Sequence, residues 1–214
     1  MRVGVIRSAL LCACLIGATA LAQSSDSDCP PGYTFKDTMD YLDPDGAVQA
    51  RIRGIEGNHL NSDVEGLVRG QSTANAGGDL RFILAIIPNH HRALHAMMRL
   101  GLREKKERLP EAGPYSVGCW LHRATVYNPN DGGAWLVYGI YIARLGQPRE
   151  ALAMLERADA LLPDDINVNY NLGLVYVDLK DFARARERAK RAYAAGYPLP
   201  GLRQRLIQAG EWSE

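Results

Sequence analysis

The feature that most constrains this chain is a 34-residue self-similarity in its second half. Gly139 and Gly173 are 34 residues apart, and so are Ala151 and Ala185, Leu155 and Ala189, Ala158 and Ala192, and Pro129 and Pro163. A period of this length marks one supersecondary unit that cannot bury its apolar face alone and must stack on its neighbours. Trp135, Tyr138 and Ile142 recur at helical spacing and form one apolar stripe. Glycine inside a helix costs about 1 kcal/mol against alanine. Gly139 and Gly173 are therefore expected where a paired helix approaches closely, with Ala151, Ala158, Ala185 and Ala192 as its small residues. Gly146-Gln147-Pro148 and Lys180-Asp181 break the two hairpins, and Pro163 followed by Asp164-Asp165 separates the units. No stretch sustains a period of two, so an all-α chain is predicted.

Residues 135–142, 169–176 and the alanines that follow them resemble the W-x2-L-G-x2-Y…A-x3-F…P pattern of tetratricopeptide-repeat (TPR) proteins, over about 89–199. The resemblance, which points to a secreted or periplasmic proteobacterial type, implies an α-solenoid of antiparallel helix pairs and a non-catalytic interaction scaffold. The repeats are placed at about 89–131, 132–165 and 166–199, with a solvating cap helix at 200–210. Pro88-Asn89 has the look of Pro129-Asn130 but stands 41 residues before it. The first repeat thus carries a seven-residue excess, placed in the charged stretch 105–114 between helices at about 91–103 and 115–127. A helix at 79–87, capped by Asp79, is expected to pack on this repeat and open the repeat domain at 79–214.

The N-terminal part is read differently. Arg2 and Arg7, the apolar run 9–21, and Ala20 and Ala22 have the shape of a secretory signal peptide over 1–22, cleaved near Ala22-Gln23. The apolar run is shorter than the ~20 residues of a spanning helix, so an uncleaved anchor is the weaker reading. So is a lipid anchor at Leu11-Cys12-Ala13-Cys14, which would cut inside the run. A periplasmic or secreted protein follows. The chain has 25 Lys+Arg against 24 Asp+Glu, a balance that excludes a general nucleic-acid or membrane-surface binder. After cleavage two cysteines remain, Cys29 and Cys119, either joined in one disulfide or present as two separate thiols. In the extension 23–78, Asp43-Pro44 with Ala47, Val48, Arg51, Ile52 and Ile55 predicts a helix, and Ser62…Glu65 reads as a capping box opening a short helix that ends near Gly70. Residues 71–78 are polar and glycine-rich and read as a mobile loop. Residues 23–40 carry little periodicity and are expected to trail along the surface or stay disordered.

Chemistry-bearing residues are few. His90, His91 and His95 are the one histidine cluster, and an exported metal-binding or hydrolytic protein built on them is the rival functional reading. Arg92 follows His91 where a zincin needs Glu, and no further ligand stands at a metal spacing; neither a metal nor a cofactor is expected. Cys119 and His122 share a helix face but lack an orienting third group. A phosphate at Gly77-Gly78 would meet Asp79, and Asp43-Pro44-Asp45-Gly46 lacks the later Glu of a calcium loop.

The face lined by the first helix of each pair is the better candidate for binding a protein or peptide, an acidic one by the charge of its basic stripe. In the first repeat it presents Arg92, His95, Arg99 and Arg103; in the second, Leu136, Ile140 and Arg144; in the third, Asn167, Tyr170, Asn171, Leu174 and Asp178. The TPR resemblance further implies that Asn171, beside Leu172-Gly173, grips peptide backbone. Residues 24–79 hold ten acids and four bases, so the chain's own acidic segment is an alternative occupant of the basic stripe. Residues 180–205 hold eight bases and two acids, a solvated face or a second docking surface with Arg184, Arg188 and Arg191 pointing outward.

Overall fold

A computed structural model describes Cys29 and residues 32–212. The signal-peptide reading of 1–22 lies outside the described residues. Among the described residues ten α-helices follow in order: α1 Gly46–His59, α2 Ser62–Glu65, α3 Ala76–Ile86, α4 His91–Glu104, α5 Val117–Tyr127, α6 Gly132–Arg144, α7 Pro148–Leu161, α8 Ile166–Asp178, α9 Phe182–Ala194 and α10 Gly201–Gln208. No strand occurs among the described residues. The pairs α4–α5, α6–α7 and α8–α9 stack side by side, and α10 packs on α8 and α9. This is an all-α, TPR-like solenoid.

The turns after α4, α6, α8 and α9 are closed by the same device. Lys105, Gly146, Lys180 and Gly196 take left-handed backbone just past α4, α6, α8 and α9. The next N–H then reaches back into the last turn, as Gln147 does to the Ile142 carbonyl at 3.2 Å and Asp181 to the Tyr176 carbonyl at 2.9 Å. Starts are closed by carboxylates: Asp131, Asp165 and Asp181 accept from the first free N–H groups of α6, α8 and α9.

The two repeat glycines are close-packed against different partners. A Cβ on Gly139 would lie 2.7 Å from Leu155 Cγ of its paired helix α7. A Cβ on Gly173 would lie 2.4 Å from Leu202 Cδ2, in α10 rather than in the paired helix α9. The difference follows from one residue. Position 189 is Ala where position 155 is Leu, and the cap helix supplies the missing volume.

The N-terminal elements depart from expectation in four places. Helix α1 begins at Gly46, after Pro44, because Asp45 accepts from the Ala47 and Val48 N–H groups. Helix α2 is capped by Asn61, not Ser62, and ends at Glu65, whose side chain turns away to Arg92. Asn75, not Asp79, caps α3; Asp79 is fully buried one turn inside it. Its carboxylate accepts from the Gln71, Ser72 and Thr73 N–H groups, from the Thr73 hydroxyl, and from His59 Nδ1 at 2.7 Å. The stretch 71–73 is thus a tied loop, not a free one. Burial pushes the Asp79 carboxyl up, yet these donors together hold it below its ordinary value.

Residues 32–40 do not trail. A disulfide joins Cys29 to Cys119, with Cα atoms 5.3 Å apart. Tyr33 Oη donates to the Cys119 carbonyl at 3.3 Å, Phe35 packs on Tyr127, and the Met39 N–H donates to the Ile86 carbonyl at 2.8 Å. Arg123, 4% exposed, lies beneath this segment. It donates to the Leu84 carbonyl at 2.7 Å in the last turn of α3, and its guanidinium stacks on Phe35.

Candidate functional site

The histidine cluster is dispersed by its own hydrogen bonds. His90 caps α4 and is fully buried. Its Nδ1 accepts from the Ala93 N–H at 3.2 Å, so Nε2 carries the proton and donates to Glu56 at 3.0 Å. Burial lowers its pKa to about 4, against the opposing pull of Glu56. His91 points elsewhere and gives Nε2–H to both oxygens of Asp131, at 2.7 and 2.9 Å. Asp131 also accepts from Asn89 and the Ala134 N–H. Burial pushes its carboxyl up, but these donors hold it ionised and below its usual range. Asp40 joins the same cluster through Asn89 and Asn128. His95 alone faces the open cleft; burial first, and the charge of Arg99 second, lower its pKa. Among the described residues no three His, Cys, Asp or Glu side chains converge as a metal site. Cys119 is disulfide-bonded, and His122 Nδ1 faces Tyr33 Oη at 3.1 Å.

The basic stripe of α4 exists, but the N-terminal segment lies on it. Arg92 donates from Nε and Nη2 to the two oxygens of Glu65, at 3.0 and 2.7 Å, and from Nη1 to Glu56 at 3.3 Å. Arg99 Nη1 donates to the Glu65 carbonyl at 3.3 Å, and Arg103 Nη1 to the Leu67 carbonyl at 2.7 Å. The hydrogen bond to Arg92 is the main reason the Glu65 carboxyl titrates low. Two carboxylates and two main-chain carbonyls are what an acidic peptide would present to these arginines. Val64 and Leu67 are buried beneath them, so the α2 segment belongs to the core. Arg92, Arg99 and Arg103 remain exposed, but each already donates to the chain's own segment.

Two clefts remain open along the face formed by α4, α6, α8 and α10. One, of about 440 Å³, is lined by Gly66, Leu67, His95, Met98, Arg99, Leu102, Arg103, Ile140 and Arg144. The other, of about 360 Å³, is lined by Ala143, Arg144, Tyr170, Leu174, Asp178, Gly201, Gln204, Arg205 and Gln208. Arg144 stands in both. Tyr170 is held against Tyr197, rings 4.0 Å apart, and Asp178 accepts from Arg205 Nη2 at 2.5 Å. Asn167 and Asn171 line neither cleft; Asn171 Nδ2 donates to the Asn167 carbonyl one turn back. Gln204, Arg205 and Gln208 are among the lining residues that periodicity missed. They sit on the cap helix, and no repeat position gives them a register.

The outer basic face is largely neutralised. Arg184 pairs with Asp181, Arg191 with Glu187, and Arg186 with Glu211. Arg188 does not point outward. It is wedged between α7 and α8, bidentate on Asp159 at 2.7 and 2.8 Å and donating to Asn169 at 3.0 Å.

The tetratricopeptide repeat family matches residues 143–196, from the end of α6 through α9. A comparison with curated proteins gives no match. Among solved structures, a thermophilic TPR protein of Thermus thermophilus is similar at 18% identity and a TM-score of 0.49, over 76% of each chain. The MamA protein is similar at 16% identity and a TM-score of 0.42, over 65% of this chain and 68% of that one. Residues 143–196 thus carry tetratricopeptide-repeat character.

Proposed function

We propose that the protein is a non-catalytic scaffold that binds an extended segment of another protein along the face of α4, α6, α8 and α10, and that it works in the bacterial cell envelope after export. The observation that carries the binding reading is the pair of clefts that meet at Arg144. Arg144 is exposed, and among the described residues no hydrogen bond or ion pair reaches its side chain. The neighbouring Arg92, Arg99 and Arg103 are already used by the chain's own carboxylates and carbonyls. Binding is therefore centred on Arg144, with Tyr170, Leu174 and Gln204 beside it, rather than on the first repeat. An acidic ligand matches the uncompensated charge. Export is supported by the signal-like start of the sequence and by the pairing of Cys29 with Cys119. The catalytic rival finds its histidines committed singly, to Glu56 and to Asp131.

The test is a screen of extended peptides of graded charge, read by fluorescence anisotropy at low and high salt. Acidic peptides should bind best, and Arg144→Ala should weaken them about tenfold and flatten the salt response. Gln204→Ala should weaken them with the salt response unchanged. Equal binding by all three proteins would move the surface off this face.

A further inference from the structure

A third cleft, of about 320 Å³, opens at the hairpin end of the first two repeats, where the seven-residue excess of the first repeat lies. Its walls are Gly101, Leu102, Lys105, Lys106, Glu107, Tyr141, Arg144 and Leu145. The volume is at the low end of small-molecule sites, about 300–1,000 Å³. The excess segment is fixed at both ends. The Lys105 and Lys106 N–H groups both donate to the Gly101 carbonyl, and the Glu107 carbonyl accepts from the Val117 N–H at 2.7 Å. Lys105 is held in left-handed backbone at φ 53°. Further along, Leu109 and Ala112 are buried, and Trp120 Nε1 donates to the Ala112 carbonyl. The loop is therefore a built wall.

Two observations at this cleft are independent of each other. Among the described residues, no hydrogen bond or ion pair reaches the side chains of Lys105, Lys106 or Arg144. Three cations thus line one small cleft against a single carboxylate, Glu107. The second observation is Tyr141. It is 2% exposed and lines the cleft, yet no hydrogen bond to its hydroxyl is made among the described residues. Burial first, and the Glu107 charge second, push its phenol up to about 12, so it remains a donor at neutral pH. Cations at the ends of α4 and α6 also favour the helix dipoles, but a dipole makes no use of a buried phenol.

We propose that this cleft binds a carboxylate, with Tyr141 Oη as the hydroxyl donor and Lys105, Lys106 and Arg144 as the surrounding charge. Glu107 on the wall disfavours a doubly charged phosphate. Leu102 and Leu145 give the hydrocarbon part of an organic acid an apolar surface. The carboxylate comes either from a free small acid or from the end of a peptide. The proposal does not depend on the peptide groove, with which the cleft shares Arg144 and Leu102.

The test is an amide-resolved NMR titration of the whole protein with succinate, with an N-acetylated hexa-alanine bearing a free carboxyl terminus, and with its amide. Sodium chloride at matched ionic strength is the control. Saturable shifts confined to 101–107 and 141–145 are expected. They should weaken at least tenfold in the Lys105→Gln/Lys106→Gln double variant and about fivefold in Tyr141→Phe, which keeps the ring and loses the donor. Saturation by succinate assigns a free acid. Saturation by the free-terminus peptide, but not by succinate or the amide, assigns a peptide end. Shifts that grow linearly as they do in chloride, equal binding of acid and amide, or saturation unchanged in the double variant would each overturn the proposal. Gln204→Ala, which tests the groove, should leave these shifts unaltered, so the two readings fail separately.

Discussion

Arg123 is the clearest case of a residue whose role is set by neighbours remote in sequence. In the chain it is one basic position among 25 Lys+Arg. In the fold it is a buried cation closing the C-terminal turn of α3, where carbonyls lack helix partners. Arg123→Met should leave those carbonyls unpaired and lower stability by about 1–3 kcal/mol, measured by urea unfolding. His90 is a second case, and its effect depends on pH. Its folded pKa lies below the ordinary histidine value of 6.5, at about 4, so the unfolded chain takes up the proton first. The stability it contributes is complete above about 6.5 and is lost as pH falls toward about 4. His90→Asn keeps a capping oxygen and cannot titrate; urea midpoints at pH 7, 5.5 and 4.5 should fall less steeply in this variant than in the wild type. Asp79 and Asp131 act lower on the scale. Both are depressed below the ordinary aspartate value of 3.8, so their contribution is present above it and is lost as pH drops through the folded values. A cluster of three neighbouring histidines was visible in the sequence. That each ring faces a different carboxylate or the open cleft was not, because Glu56 and Asp131 reach them from distant segments.

At the scale of elements, the repeated hairpins were legible almost to the residue. Their signals are local: the breakers Gly146 and Lys180, the capping Asp131, Asp165 and Asp181, and the apolar stripe. Lys180 marks where one signal is imperfect, for it occupies with φ 64° the left-handed position that Gly146 fills in the preceding repeat. A left-handed conformation costs a non-glycine residue about 1–2 kcal/mol. Lys180→Gly should therefore raise stability by about 0.5–1 kcal/mol, seen as a rise of a few degrees in melting temperature. The partner of Gly173 was not legible, since it depends on Ala189 leaving room for a helix outside the repeat. Gly173→Leu should displace α10 rather than separate α8 from α9. Overpacking of this kind costs about 1–3 kcal/mol, and amide exchange should accelerate at 202–206 before it does in α8. In the N-terminal segment the helices were legible but their caps were not, because Asn61 and Asn75 compete successfully with Ser62 and Asp79 once Asp79 is drawn inward by 71–73 and His59.

At the scale of the molecule, the disulfide and the α2 segment bind the irregular N-terminal third to the repeats. Cys29 and Cys119 enclose a sequence separation of 90 residues. Their link restricts the unfolded chain and should contribute about 2–4 kcal/mol. Cys29→Ala should lower the urea midpoint accordingly, and a reductant should lower the wild type to the same value while leaving the variant unchanged. The arginines of α4 belong to the same assembly: changing Arg92, Arg99 and Arg103 together to Ala should loosen the contact with α2, which makes that variant a test of folding rather than of binding. The all-α solenoid, the breaks between its hairpins and the run of bases along α4 follow from the chain alone, because a 34-residue period and helix-terminal chemistry act within one or two turns. Only the tertiary structure decided which cations are consumed and which stay free. Charge on a side chain is a local property, but its compensation depends on what packs opposite. Glu65 crosses to Arg92 from 27 residues away, while nothing comparable among the described residues reaches Arg144.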